Sequence, residues 1–117
     1  MDAAAIMVRN RSYSRLTREA LIMLGNLIRI GRMERNLTSQ DLAERAGISR
    51  TTLSKIEKGD PGSEIGLVFE LAALVGVPLF GHDERNPLKP QIDRQEQILS
   101  LLPQRVRHSV KAVDDDF

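Results

Sequence analysis

The sequence predicts an all-α fold, a compact bundle of about five helices with flexible N- and C-terminal tails. Three observations carry this. Apolar residues recur at three- and four-residue steps, the period of a helix face. Thr38, Ser49 and Ser63 stand at helix starts, and Gly47 and Gly59 at helix ends. No period-two alternation appears ahead of residue 98.

The first helix is expected over residues 14–35. Leu16, Ala20, Leu24, Leu27, Ile28 and Gly31 have the spacing of one face. Arg29, Arg32 and Arg35 suit the negative pole of its dipole, and Asn36 is its stop. Thr38 caps a second helix, with Asp41 completing a variant of the capping box, and Gly47 ends it in the left-handed conformation. At about two turns, that helix is too short to stand without tertiary packing. Ser49 caps a third helix that runs to about Lys58 and ends at Gly59. Asp60-Pro61-Gly62 is a loop, after which Ser63 caps a fourth helix from Glu64 to about Val75. Its Ile65, Val68, Phe69, Ala72 and Val75 share one side, with Leu67, Leu71 and Leu74 beside it, so most of its surface is buried. Leu79 and Phe80 extend the core. Asp93 and Glu96 repeat the capping-box pattern ahead of Ile98, Leu99, Leu101 and Leu102. A short helix ended by Pro103 is expected there, with a strand over residues 98–102 as the alternative.

Composition narrows the function classes. A chain of 117 residues suits one small domain with tails and is too short for an α/β barrel, which needs about 250. Cysteine is absent, which removes disulfides, thiolate nucleophiles and cysteine-bound zinc. His82 and His108 show no metal-ligand spacing, and Gly59 and Gly62 lack the lysine of a phosphate loop. Neither catalysis nor a cofactor is expected. The apolar stretch over residues 71–81 falls short of the roughly 20 residues of a spanning helix. Arg9 and Arg11 follow the apolar run of residues 1–8 instead of preceding it, which makes a poor signal peptide. A cytoplasmic, nucleoid-associated protein is the expectation.

The net charge of +1 conceals an asymmetry. Residues 1–60 hold 11 Lys and Arg against 7 Asp and Glu, whereas residues 61–117 hold 6 against 9. A basic half points to an anionic partner. The second and third helices, joined by a tight turn around Gly47, form a helix-turn-helix. At about 100° per residue, Leu53 and Ile56 point one way along the third helix. Arg50, Thr51, Ser54, Lys55 and Lys58 point the other: three cations, two hydroxyls and no acid. A helix fits the DNA major groove, Arg pairs with guanine O6 and N7, and Thr offers a methyl to thymine. Arg50 and Thr51 are therefore base-reading candidates, Lys55 reaches a base edge or a phosphate, and Ser49 and Thr52 suit phosphates. Glu57 lies on the inward flank, where a lone carboxylate is costly to desolvate, so Arg32 is its expected structural partner.

Residues 37–59, with the turn glycine Gly47 and the closing Ile56-Glu57-Lys58-Gly59, resemble the helix-turn-helix of the phage-repressor (Xre/Cro) family. The resemblance implies a compact domain of about five helices that binds double-stranded operator DNA as a homodimer. It assigns base reading to Arg50, Thr51 and Lys55, and phosphate contact to Ser49, Thr52 and Lys58. The family's Arg–Glu link falls on Arg32 and Glu57. One departure stands out: where the family places Gln to grip a phosphate and brace the reading helix, this chain has Ser39, of shorter reach, followed by Gln40, which substitutes only after a small rotation; both are phosphate-contact candidates.

Tyr13-Ser14-Arg15, the stretch Ile65-Gly66-Leu67-Val68-Phe69-Glu70, Val77-Pro78-Leu79-Phe80 and the Asp114-Asp115-Asp116-Phe117 ending are similar to HipB-type antitoxins. That resemblance implies a repressor that also binds and neutralises a HipA-like Ser/Thr kinase toxin. A stand-alone Xre-family regulator is the alternative. Phe117, an aromatic on a polar tail, reads either as a partner anchor or as a frayed terminus. The organisation is then a basic lead-in (1–13), the helix-turn-helix domain (14–80), a linker (81–92), a short element suited to dimerisation (93–103) and a tail (104–117).

Overall fold

The computed structural model describes residues 11–106 and 108. Among these there are five helices and no strand: α1 Arg15–Glu34, α2 Ser39–Ala46, α3 Arg50–Glu57, α4 Ile65–Leu74 and α5 Leu88–Leu101. An isolated bridge joins Asp83 and Asn86. The chain is all-α, as its periodicity requires. It falls into two compact units, the first ending at Leu79 and the second starting at Phe80.

In the first unit, helix starts follow side-chain chemistry. Ser14, Thr38 and Ser49 each accept a backbone N–H three residues on, which satisfies a donor that the first turn leaves open. The stops repeat one motif. At the ends of α1 through α4, two backbone N–H groups reach back to the last turn around a left-handed residue: Asn36, Gly47, Gly59 and Gly76. Asn36, not glycine, ends α1, an exchange that its short polar side chain tolerates.

The core gathers Ile28 from α1, Leu42 and Ala43 from α2, Leu53 and Ile56 from α3, and Val68, Leu71 and Ala72 from α4, closed by Val75 and Val77. Both α1 and α2 pack against α3 and α4. Two glycines let α1 approach closely. A Cβ on Gly25 would lie 2.6 Å from the carbonyl oxygens of Ile56 and Glu57, and one on Gly31 would lie 2.7 Å from that of Val75.

Several expectations are corrected. The inward line of α1 runs through Leu24, Gly25, Ile28, Gly31 and Arg32, while Leu16, Ala20 and Leu27 are exposed. The helix has more apolar residues than one face holds, so spacing alone merged two stripes. In α4, Ile65 is likewise exposed, and Glu64, not Ser63, occupies the cap position without a side-chain bond. Leu79 packs on the core, but Phe80 is exposed, with a left-handed φ of 54°.

In the second unit, the helix starts at Leu88, inside the stretch expected to be a linker. Pro90 sits in its first turn, where a missing N–H costs no internal bond. Asp93 is therefore not a cap. It lies inside α5 and accepts a hydrogen bond from Lys89, one turn earlier, at 2.5 Å. The strand alternative over residues 98–102 is replaced by helix through Leu101; Leu102, which precedes Pro103, is extended. No residue of α5 is buried.

Candidate nucleic-acid interface

Two short helices build the site. The start of α2 is held by a complete capping box. Thr38 N–H donates to Asp41 Oδ2 at 2.9 Å, and Asp41 N–H donates to Thr38 Oγ1 at 3.0 Å. The backbone hydrogen bond from Thr38 holds the Asp41 carboxyl below its usual range, helped by the Thr38 side chain and the charge of Arg45 and opposed by desolvation. Directly after this cap stands Ser39.

Gly47, with φ of 70°, turns the chain, and Ser49 Oγ caps α3 by accepting Thr52 N–H at 3.0 Å. Leu53 and Ile56 anchor α3 in the core. Its opposite side, with Ser39 of α2, lines an open groove of Ser39, Arg50, Thr51, Ser54, Lys55 and Lys58. All the base-reading candidates are there. Arg50, Thr51, Lys55 and Lys58 are exposed, Ser54 is half-buried, and no acidic side chain lines the groove. Ser54 lines the groove with them, although sequence reasoning gave it no role. Its position one turn from Arg50 was the available signal.

The other candidates, Gln40, Ser49 and Thr52, do not line the groove. Ser49 Oγ also donates to Thr52 Oγ1 at 3.0 Å, so both hydroxyls are engaged with each other. Gln40 Nε2 donates to Glu44 Oε2 at 2.7 Å along the exposed side of α2, so Ser39, not Gln40, enters the groove. Phe117 lies outside the described residues.

Behind the groove, α3 is tied to α1. Arg32 Nε donates to Glu57 Oε2 at 2.8 Å and Nη2 to Oε1 at 3.2 Å, with the two side chains 11% and 9% exposed. Arg32 Nη1 also donates to the Leu37 carbonyl at 2.9 Å. This two-pronged geometry, with a third bond on the guanidinium, satisfies charges that would be costly to bury singly. Among the described residues no cluster of three or more His, Cys, Asp or Glu could hold a metal ion. Among them too, no helix is long and apolar enough to cross a membrane.

A pair of short helices at a tight turn, presenting an acid-free cationic face from a packed scaffold, defines a helix-turn-helix DNA-binding protein. The family model for the helix-turn-helix matches residues 28–81. An uncharacterized HTH-type transcriptional regulator of Methanocaldococcus jannaschii is 39% identical over 54 residues, which cover 46% of this chain and 82% of that protein. No solved structure matches the chain. The chain belongs to the Xre-type helix-turn-helix family of transcriptional regulators, a non-enzymatic family.

Proposed function

We propose that this protein is a sequence-specific repressor that binds an inverted-repeat operator as a homodimer and acts as a HipB-like antitoxin, neutralising a HipA-like Ser/Thr kinase toxin in the cytoplasm. The observation that carries the DNA part is the groove itself, where Arg50, Lys55 and Lys58 face outward with Ser39, Thr51 and Ser54 between them. In this reading Arg50, Thr51 and Lys55 read bases while Ser39, Ser49, Thr52 and Lys58 hold phosphates. Gln40 reaches a phosphate only after leaving Glu44.

The homodimer is supported by the second unit. Leu88, Ile92 and Leu99 fall on one side of α5 at about 100° per residue. Beside them Phe80, Leu88, Gln91, Ile92 and Gln95 line a depression of about 300 Å³. An amphipathic helix with nothing buried in its own unit suits a second copy. The antitoxin part rests on the HipB-like stretches and assigns the tail with Phe117 to the kinase.

Quantitative footprinting and binding on the region upstream of the gene test the reading. A protected inverted repeat whose affinity falls with salt is expected. Salt-insensitive binding, or none, overturns the repressor. Purification from the native operon tests the antitoxin: a co-eluting kinase is expected, and its absence leaves the stand-alone regulator.

A further inference from the structure

The side of α1 turned away from the core carries a second apolar stripe. Leu16, Ala20, Met23, Leu27 and Ile30 follow one another at alternating steps of four and three residues. At about 100° per residue they lie within roughly 40° of one line, with Gly25 nearly opposite. Gly25 faces the backbone of α3, so the stripe lies on the far side of α1 from the DNA-reading helix. The four large residues are exposed: Leu16 76%, Met23 65%, Leu27 40% and Ile30 51%. Most of the stripe precedes residue 28, where the family match begins, so the shared helix-turn-helix does not account for it. An apolar strip several turns long is uncommon on a surface with no partner, and this 4-3 spacing is that of a helix-to-helix seam.

We infer that the stripe is a self-association seam, in which α1 packs antiparallel on α1 of a second copy, crossing near Met23. A twofold axis there sets Leu16 against Ile30 and the small Ala20 against the larger Leu27. Charge selects the direction. The antiparallel arrangement brings Glu34, which lies on the stripe's own line, toward Arg11 and Arg15 of the second copy. A parallel pair would set Glu34 against Glu34 of the second copy along the same line. Within one chain Arg15 and Glu19 already pair at 3.2 Å, both well exposed, and both remain accessible to the second copy. Because α3 packs on the opposite side of α1, the two reading grooves face away from each other. This assembly therefore joins two DNA duplexes instead of two half-sites of one operator. The seam itself does not depend on the operator or antitoxin reading; only the bridging rests on DNA binding by α3.

The chain has no cysteine, which makes the test direct. With a short bis-maleimide, full-length Met23→Cys is expected to cross-link to itself at micromolar concentration, well above a control cysteine at the exposed Glu70. A mixture of Leu16→Cys and Ile30→Cys should yield the mixed dimer, while Leu16→Cys alone should not cross-link. Self-linking of Leu16→Cys without the mixed product overturns the antiparallel arrangement. Met23→Cys linking no more than the control overturns the seam, and is the outcome if the N-terminal residues or a different protein cover the stripe. In sedimentation, Leu27→Glu, a surface change, should leave the homodimer formed through α5 in place and move the association step beyond it to about tenfold or more higher concentration. Unchanged association refutes the proposal. Operator affinity of Leu27→Glu measured alongside should equal wild type, so a failed seam and a failed DNA reading are told apart. Capture of a second, labelled duplex on immobilised operator should be lost in Leu27→Glu, and its retention overturns the bridging.

Discussion

The Arg32 guanidinium bonds both oxygens of Glu57 and the Leu37 carbonyl, so one side chain links α1, the turn after it and the end of α3. Arg32→Ala would strand Glu57 with 9% of its side chain exposed. Removing one member of a buried pair costs about 3–5 kcal/mol, most of it the penalty on the charge left behind. The urea midpoint of Arg32→Ala should fall accordingly, and the pair removed together, as Arg32→Met with Glu57→Leu, should lose less. Gly25 tests a second residue-scale argument. Alanine would add up to about 1 kcal/mol of helix propensity. Its Cβ, however, would sit 2.6 Å from two backbone oxygens that cannot swing aside. Overpacking of that kind costs about 1–3 kcal/mol, so Gly25→Ala should lower the melting temperature despite the better helix former.

At the scale of the element, α2 and α3 are each eight residues long and hold their shape through caps and core contacts, not through their own propensity. Asp41 gives the α2 cap a pH signature. Its native pKa lies below the ordinary carboxylate range, so at acidic pH the carboxyl group binds fewer protons in the folded than in the unfolded chain. The cap's contribution is therefore complete above that range and lost as pH falls through the lowered native value. Asp41→Asn should flatten the acid limb of a stability-against-pH curve and leave its neutral-to-alkaline limb parallel to wild type. For α3 the expected signatures are on DNA. Arg50→Ala should cost about 1–3 kcal/mol of operator affinity and relax preference at one base pair. Lys58→Ala should weaken all sequences alike and reduce the salt slope by about one. Binding titrations on matched and mismatched duplexes separate the two.

For the whole molecule, the division at Leu79 and Phe80 separates the helix-turn-helix unit from one that carries α5 and the acidic end of the sequence. Truncation after Pro103 keeps every helix of the described residues, since α5 ends at Leu101. Operator affinity of the truncated protein should stay close to wild type, while affinity for the proposed kinase partner should drop. Equal kinase affinity of the two forms in a pull-down or calorimetric titration would remove the tail from the antitoxin mechanism.

Local signals were enough for the helix-turn-helix. Caps at Thr38 and Ser49, the left-handed turn at Gly47 and the angular sorting of α3 are interactions among residues a few positions apart, and such interactions are written in sequence order. The exposed cationic face was legible for the same reason. Other features depended on packing between distant segments. Which of two apolar stripes on α1 enters the core was decided by glycines at 25 and 31, since only a side without Cβ atoms lets α3 and the end of α4 come so close. The placement of Ser39 and not Gln40 in the groove depended on how α2 rotates against α3. The early start of α5 turned on a proline tolerated in a first turn, where composition alone had suggested a linker. The sequence by itself determined the fold class, the capped helices and the cationic face, because these arise from near neighbours. Only the tertiary structure decided which apolar side of α1 stays exposed, because that choice is made by the backbone that packs against it.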